Sequence, residues 1–296
     1  MNSAANPIFR LNTKNPDAVI SIFDDSLELN GRVRCDLFAS VSSAEFALTL
    51  FDKKQNKFLA LEVFQKPNEK DVDWIRKIPE VSLILKKKMY QSVSVQVINE
   101  LTTIVPVALF HEEDANRYFN FNFNAGESLL KTEMIPAFDA INVYALPESL
   151  DAFIQQVFER PVVRHHFTVL LEAIHLSYKK FNEKLLLIHV RPGYVDIVVM
   201  EGKRLFFINS FHYKTIDDLA YYVMFVSDRL QLNPETISTF LMGQVEAGSA
   251  LFHLLYKYIN NVSLAPRPDM YEFSYVFDEI PEHFHFNLFN LVLCVS

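Results

Sequence analysis

Two stretches of this 296-residue sequence decide the fold: residues 37–52, LFASVSSAEFALTLFD, and residues 186–201, LLIHVRPGYVDIVVME. Each has an apolar run, a short break and a second run rich in strand-forming residues, which predicts a β-hairpin. The two copies align at a constant offset of 149 positions, 186 minus 37. Each continues with a turn, a third strand and a helix with acidic residues at its start. This order predicts an internal duplication; the alternative is that two ordinary meanders look alike by chance.

The pattern extends over most of the chain. The first copy predicts strands at 37–41, 45–51 and 58–64, a helix after Pro67 and a strand at 92–98. The second predicts strands at 185–190, 194–200 and 204–211, with helices at 215–230 and 249–259 around a strand at 236–242. Two copies of this order predict an α/β fold of the actin-like (ribonuclease H-like) type, made of two βββαβα halves with mixed sheets. The predicted domains are an N-terminal lead-in at 1–35, a first half at 36–182 and a second half at 183–296.

Between and after the repeats, the predictions depend on local patterns. Residues 106–118 begin with Pro and carry early acidic residues, which predicts a helix. Residues 118–123 alternate aromatic and polar residues, which predicts a strand, and an exposed aromatic face there would be a partner site. Strands are predicted at 129–135 and 140–146, and a helix over 281–293. The basic run 86–88 is interpreted as the solvated end of a helix.

Composition limits the function classes. Only 6 residues are glycine, and neither a Walker GxxxxGK[ST] nor a GxGxxG sequence occurs, so few glycine-rich phosphate loops are possible. The 28 basic and 36 acidic residues give a net charge of -8, which argues against nucleic-acid binding. The two cysteines indicate a reducing compartment. We see no signal peptide and no membrane-spanning stretch, and therefore predict a cytoplasmic protein.

Several short segments resemble one protein family. They are FDDSL at 23–27, NVYALP at 142–147, the pair His165-His166, and FSYVFDEIPEH at 273–283. On these segments the whole chain resembles uncharacterised Bacteroidetes proteins, a domain of unknown function whose fold is actin-like. The resemblance implies the fold and carries no established activity.

The actin-like layout implies where a nucleotide would bind. In such ATPases a loop in each half carries Asp-x-Gly, where the Asp organises magnesium and the Gly admits phosphate. Here Ser40 and His189 replace the Asp, and Ser42 and Arg191 replace the Gly. Both metal-organising acids are therefore missing. The residues that could still contact ATP in a cleft between the halves are Ser42, Ser43, Arg191, Gly193 and Gly243.

No catalytic motif is found, so we predict no catalytic residues and no metal site. Metal binding by His165-His166, or by His283 and His285, is a weaker alternative to a role in the fold. The sequence predicts a non-catalytic actin-like protein, a pseudoenzyme, that acts through a protein partner or self-association and has no cofactor. An ATPase or sensor that binds ATP with magnesium between the halves remains open as the alternative, and a nucleic-acid-associated protein is a third possibility.

Overall fold

The computed structural model describes residues 11–12, 15–29, 35–67, 73–88 and 90–294. The chain forms two compact units. The first unit contains the described residues of Phe9–Ala173, Met270–Glu279 and Asn287–Ser296, and the second contains Ile174–Asp269 and Ile280–Phe286. In the described part of the chain, every helix is too short or too polar to cross a membrane.

The strands are β1 (Leu11–Asn12), β2 (Ile20–Phe23), β3 (Cys35–Val41), β4 (Glu45–Asp52), β5 (Lys57–Gln65), β6 (Tyr90–Val97), β7 (Thr102–Pro106), β8 (Ser128–Ile135), β9 (Ala140–Pro147), β10 (Val162–His165), β11 (Leu185–Arg191), β12 (Tyr194–Glu201), β13 (Arg204–His212), β14 (Ser238–Gly243), β15 (Val262–Leu264) and β16 (Glu272–Phe273). The α-helices are α1 (Ser26–Leu29), α2 (Ile78–Val81), α3 (Leu83–Lys87), α4 (Ala115–Asn120), α5 (Glu148–Val157), α6 (His166–Tyr178), α7 (Ile216–Arg229), α8 (Ala250–Tyr256) and α9 (Phe286–Asn290). Short 3-10 helices cover Trp74–Lys77, Val107–Leu109, Glu112–Asp114, Pro136–Phe138, Tyr275–Phe277 and Leu291–Cys294.

The strand order repeats between the units. In the first unit the main sheet runs β1-β2-β5-β4-β3-β6-β10, with β16 beside β5. In the second unit it runs β13-β12-β11-β14-β15. Each sheet therefore contains a meander of three antiparallel strands followed by two parallel strands.

The register of the two hairpins confirms the predicted duplication. Ser40 on β3 pairs with Ala47 on β4, and His189 on β11 pairs with Asp196 on β12. The second pair lies 149 positions after the first, since 189 minus 40 and 196 minus 47 both give 149. The mixed α/β architecture is that of the actin-like fold. The division at residues 36, 182 and 183 stays a prediction, and the described lead-in adds β1 and β2 to the first unit's sheet.

Each unit has its own hydrophobic core. In the first unit, apolar residues of β3–β6 pack against the segment that carries α2 and α3 and against α5; Trp74, Ile84 and Ile154 are buried there. In the second, α7 and α8 pack on β11 and β12. Helix α7 begins at a capping box, in which Thr215 Oγ1 accepts from the Asp218 N–H and the Asp218 carboxylate accepts from the Thr215 N–H.

The first unit also has a smaller sheet, β7-β9-β8, whose strands come between β6 and α5 along the chain. Its two long strands, β8 and β9, confirm the strands predicted at 129–135 and 140–146. The predicted strand at 118–123 is wrong, because Ala115–Asn120 is helical. Phe119 is fully buried, and its ring centroid lies 5.4 Å from that of Phe123. The Phe121 side chain between them in sequence is 88% exposed. The spacing of four that joins Phe119 to Phe123 is helical and outweighs the alternation.

Three predicted helices are shorter or broken. The helix after Pro67 is divided into a 3-10 turn, α2 and α3, because Ser82 adopts an extended backbone and caps α3 with its side chain. The helix predicted over 106–118 is two 3-10 turns and then α4. The predicted tail helix is helical only over α9 and the following 3-10 turn.

Candidate functional site

The second predicted phosphate loop contains a buried ion pair. Arg191 is the last residue of β11, and its guanidinium lies beside the carboxylate of Asp196 on β12. Arg191 Nε donates to Oδ2 at 2.7 Å and Nη2 donates to Oδ1 at 2.6 Å. Asp196 is fully buried and Arg191 is 8% exposed. This two-pronged pairing commits the guanidinium to the hairpin itself.

Two further side chains complete this cluster. His189 on β11 and Ser210 on β13 both lie directly opposite Asp196 in the sheet. His189 Nδ1 is 3.0 Å from Oδ2, and because the carboxylate accepts, Nδ1 carries the hydrogen. Ser210 Oγ donates to Oδ1 at 2.5 Å. We call Arg191, His189, Asp196 and Ser210 the β11–β13 polar row.

The polar row contains a serine, a histidine and an aspartate, but it is not arranged as a nucleophilic triad. In a triad the serine hydroxyl donates to the histidine, which the aspartate orients. Here the hydroxyl of Ser210 and the imidazole of His189 both donate to the same carboxylate. The arrangement stabilises a buried aspartate and holds three strands in register.

The first predicted loop is a closed hairpin turn between β3 and β4. Ser42 Oγ accepts hydrogen bonds from the N–H groups of Ala44 and Glu45, at 3.2 and 2.8 Å, and donates to the Glu45 carbonyl. Ser43 is exposed at the tip. The chemistry of Ser42 is therefore local to the turn, as is usual for serine in such positions.

Glycine is needed at the two predicted positions, Gly193 and Gly243, for different structural reasons. Gly193 is in the β11–β12 turn with φ +74°, and a Cβ there would meet no atom within 4 Å. Gly243, at the end of β14, has φ +84°, and a Cβ there would lie 2.2 Å from the Val190 carbonyl oxygen. Gly243 therefore lets the backbone of β14 approach β11, a function that only glycine can fulfil.

The tail segment holds the loop after β14. The Gly243 N–H donates to the His283 carbonyl at 2.8 Å, and His283 Nε2 forms a short hydrogen bond with the Val245 carbonyl. Burial lowers the pKa of His283, which keeps its imidazole neutral. In the described residues, no group of three His, Cys, Asp or Glu side chains is arranged to hold a metal ion. His283 acts there as a structural residue.

A second buried polar network surrounds His165. The Asn142 amide donates to His165 Nδ1 at 3.1 Å and to Thr168 Oγ1 at 3.0 Å. Glu133 accepts from the Tyr144 hydroxyl at 2.7 Å and from the His165 N–H at 3.1 Å. Because His165 Nδ1 accepts, its Nε2 carries the hydrogen and faces the Asn99 carbonyl. These contacts join the small sheet to the start of α6 and give His165 a role in the fold.

Of the five residues predicted to contact ATP, the structure places Arg191, Gly193 and Gly243 in the second unit at one end of β11 and β14, and Ser42 and Ser43 in the first unit. Arg191, Ser42 and Gly243 all have partners within their own unit. Whether these residues bind a nucleotide stays a prediction.

A surface of aromatic rings in contact extends from β13 to α7; three of its four ring pairs are stacked and one is edge-on. Ring centroids are 6.3 Å apart between Phe207 and Phe211, 4.7 Å between Phe211 and Tyr222, 5.6 Å between Tyr222 and Tyr221, and 6.0 Å between Tyr221 and Phe225. Tyr221 is 63% exposed and Phe225 is 40% exposed. We call these five residues the aromatic surface.

One cation, Arg229, and a strand edge flank the aromatic surface. The guanidinium of Arg229 lies 5.3 Å from the Phe225 ring centroid, within cation–π range. Among the described residues, β13 pairs only with β12, so its other edge presents backbone donors and acceptors. Large apolar surfaces beside such groups are typical of binding sites for other proteins.

Sequence reasoning missed both Asp196 and the aromatic surface. Tyr221 and Phe225 are four residues apart and lie outside the buried positions Leu219, Val223 and Val226 of α7. Two aromatic residues on the solvent side of an amphipathic helix were the available signal. Asp196 could have been found from the turn at Gly193, because that turn sets His189 opposite Asp196.

Comparison with known proteins identifies a family but no activity. The model of the family DUF3822, described as a protein of unknown function, matches residues 24–262. No curated protein matches the chain.

Solved structures match over most of the chain. A Bacteroides thetaiotaomicron protein with an actin-like ATPase fold and unknown function is 20% identical, with a TM-score of 0.70, over 79% of this chain and 91% of that one. The PilM-PilN type IV pilus biogenesis complex matches at 12% identity and a TM-score of 0.64, over 88% of this chain and 98% of that one. At these identities the similarity shows the fold alone.

Proposed function

Because the chain belongs to DUF3822, a family of unknown function, we propose its function from its own surfaces: it is a non-catalytic actin-like protein that binds a protein partner through the aromatic surface. The partner we propose contributes apolar side chains and an extended segment, which would pack on Tyr221 and Phe225 and pair with the open edge of β13.

The aromatic surface is the single observation that carries this proposal. Tyrosine and arginine are enriched among the few residues that carry most of the binding energy in protein interfaces, and phenylalanine is enriched in their composition. Here Tyr221 and Phe225 are exposed beside Arg229. In a monomer this arrangement leaves apolar area in water without benefit to the fold.

The polar row supports the non-catalytic part of the proposal. Arg191 already pairs with the buried carboxylate of Asp196, so less of its positive charge remains to attract a phosphate. The absence of a carboxylate at Ser40 and His189 also removes the charge that usually organises magnesium.

Two further findings agree with the proposal. The similar PilM-PilN structure is an assembly of two proteins in type IV pilus biogenesis. Cys35 and Cys294 are both free thiols. We therefore propose a cytoplasmic location, where thiols stay reduced.

The test is photo-crosslinking in the source cells, with a photoreactive amino acid placed at position 221 of the full chain. We expect one crosslinked protein product, which is lost when Phe225→Ser is added. Position 256 provides the matched control, because Tyr256 is also an exposed helical tyrosine of the second unit, at 55% exposure. Equal products from both positions, or none from position 221, would contradict the proposal.

Calorimetry with ATP and magnesium separates this function from the nucleotide alternative. We expect no heat of binding at micromolar concentrations. Tight, magnesium-dependent binding that Ser42→Ala weakens, with ATP hydrolysis by the purified protein, would instead support an ATPase or sensor. Ser42→Ala is suitable because Ser42 is half-buried in a turn, and the hydrogen bonds of its hydroxyl stay within that turn.

A further inference from the structure

A second candidate surface lies in the first unit, whereas the aromatic surface belongs to the second unit. A cavity of about 510 Å³ opens among the 3-10 turn at Trp74–Lys77, helices α2, α3 and α5, and the start of β6. Its floor is apolar, with Leu85 and Phe153 buried and Val157 half-buried. The volume is within the range of binding pockets for small ligands or side chains.

Basic residues dominate the rim of this cavity. Arg76, Lys86 and Lys88 line it with a single carboxylate, Glu80. Arg76 is partly neutralised by Asp73, at 3.4 Å. Within the described part of the chain, no carboxylate forms an ion pair with Lys86 or Lys88. Lys88 caps α3 with φ +47°, so both lysines are at a helix C-terminus. We call this the basic pocket.

The matching chemistry lies elsewhere on the same unit. The segment at residues 107–114, VALFHEED, forms two 3-10 turns beside the small sheet. Leu109 is 63% exposed, and Glu112 and Glu113 are exposed three and four residues later. Val107 is also exposed, at 41%, and exposed apolar side chains followed by acidic residues are the complement of an apolar floor with a basic rim. We call this the acidic knob.

We propose that the acidic knob of one copy of this chain docks in the basic pocket of a second copy. Leu109 would enter the apolar floor, and Glu112 and Glu113 would pair with Lys86 and Lys88. Because knob and pocket are different surfaces, the contact is heterologous and leaves a free knob and a free pocket on every pair, so it can repeat from copy to copy. This self-association is separate from the partner bound by the aromatic surface.

Two copies can associate through this contact only where the attraction between knob and pocket exceeds the repulsion between their net charges. The chain carries -8, so two copies repel at long range. At physiological salt the Debye length is about 8 Å, which screens distant charges far more than pairs in contact. The contact should therefore form at physiological salt and weaken at very low salt, where the overall repulsion extends further.

Charge reversal of the full chain tests the proposal by sedimentation velocity. The variant Lys86→Glu/Lys88→Glu has an acidic pocket facing an acidic knob, and Glu112→Lys/Glu113→Lys has a basic knob facing a basic pocket. All four residues are exposed, so circular dichroism should show both variants folded. We expect wild type to associate below about 100 μM, and each variant alone to bind at least about tenfold more weakly.

An equimolar mixture of the two variants gives the decisive result, because each knob then meets a pocket of opposite charge. We expect the mixture to recover association, whereas either variant alone at the same total concentration should not. Wild type that stays monomeric at every concentration, variants that associate as wild type does, or a mixture without recovery would each overturn the proposal.

Discussion

At the scale of single residues, Asp196 determines what the second hairpin can do. The equivalent position in the first hairpin is Ala47, which needs no partner. The carboxylate of Asp196 is fully buried and collects donors from Arg191, His189 and Ser210. A buried charge is tolerated only with such compensation, so the identity of this one residue explains why three polar neighbours point inward.

We predict that Asp196→Asn destabilises the protein by about 3 kcal/mol, because it leaves the Arg191 guanidinium buried without a counter-charge. Urea unfolding measures the difference. Asp228→Asn, at an exposed position near the end of α7, is the matched control and should stay within about 0.5 kcal/mol of wild type. Equal effects of the two substitutions would show that the buried pair contributes no more to stability than an exposed carboxylate does.

Glu133 gives a pH-dependent prediction. Burial raises the pKa of its carboxyl above the ordinary value of 4.5, more than the hydrogen bonds from Thr168, Tyr144 and His165 lower it. The folded state therefore holds its proton to higher pH than the unfolded state, and the stabilisation is complete below pH 4.5 and declines as pH rises through the folded pKa. Relative to Glu133→Gln, wild type should lose stability as pH rises above 4.5.

The measurement is the difference in unfolding free energy between wild type and Glu133→Gln from acid to neutral pH, in which the contributions of other groups cancel. A difference that is constant with pH, or that grows in favour of wild type as pH rises, would contradict the raised pKa of Glu133.

At the same scale, local patterns located turn and strand-end residues but not their partners, and whether those residues contact ATP stays a prediction. Ser42, Arg191, Gly193 and Gly243 all have defined roles, because turn residues and strand ends are visible in local patterns. The partner of Gly243 could not be predicted, since the His283 carbonyl comes from a segment 40 residues further along the chain. Hydrogen bonds of this kind depend on tertiary packing, which single-sequence patterns do not contain.

At the scale of elements, the two glycines allow a matched experiment. Gly243→Ala introduces a Cβ 2.2 Å from the Val190 carbonyl at positive φ, so we expect a loss of about 3 kcal/mol from overpacking and backbone strain combined. Gly193→Ala has the positive φ without the close contact and should cost about 1 kcal/mol. Thermal or urea unfolding of the pair separates the two causes. Equal losses would mean that strand β14 moves away from β11 at little cost.

The segment at 118–123 shows where element prediction fails. Alternation of aromatic and polar residues favours a strand, but Phe119 fits against Val105 and Val143 of the small sheet as part of α4. The acidic residues at 112–114 already indicated a helix start nearby. In a short element, the burial of one large side chain can decide between helix and strand against an aromatic–polar alternation that repeats only three times. The meanders were predictable because six long strands carry consistent patterns.

At the scale of the whole molecule, the order of strands in each unit follows from the duplicated pattern, but the tail does not. Residues 270–279 and 287–294 belong to the first unit although they are at the other end of the chain. Ser274 Oγ donates to Asp24 Oδ2 at 2.5 Å, a contact between residues 250 positions apart. Strand β16 pairs with β5, and Phe289 packs on Phe58 with 5.0 Å between ring centroids. Nothing in the local pattern of either segment predicts such contacts.

The tail therefore completes an aromatic cluster of the first unit around Phe58, and Phe289 tests this. It is fully buried and packs within 6 Å of Phe58, Phe273 and Phe277. We predict that Phe289→Ala lowers stability by about 4 kcal/mol, as expected for a large cavity in an aromatic cluster. Hydrogen exchange should quicken in β2 and β5, while β11 and β12, whose core contains no tail residue, should exchange at the wild-type rate. Phe225→Ala, in the aromatic surface, is the control and should change neither. Faster exchange in β11 and β12 of Phe289→Ala would instead show that the tail stabilises both units as one cooperative structure.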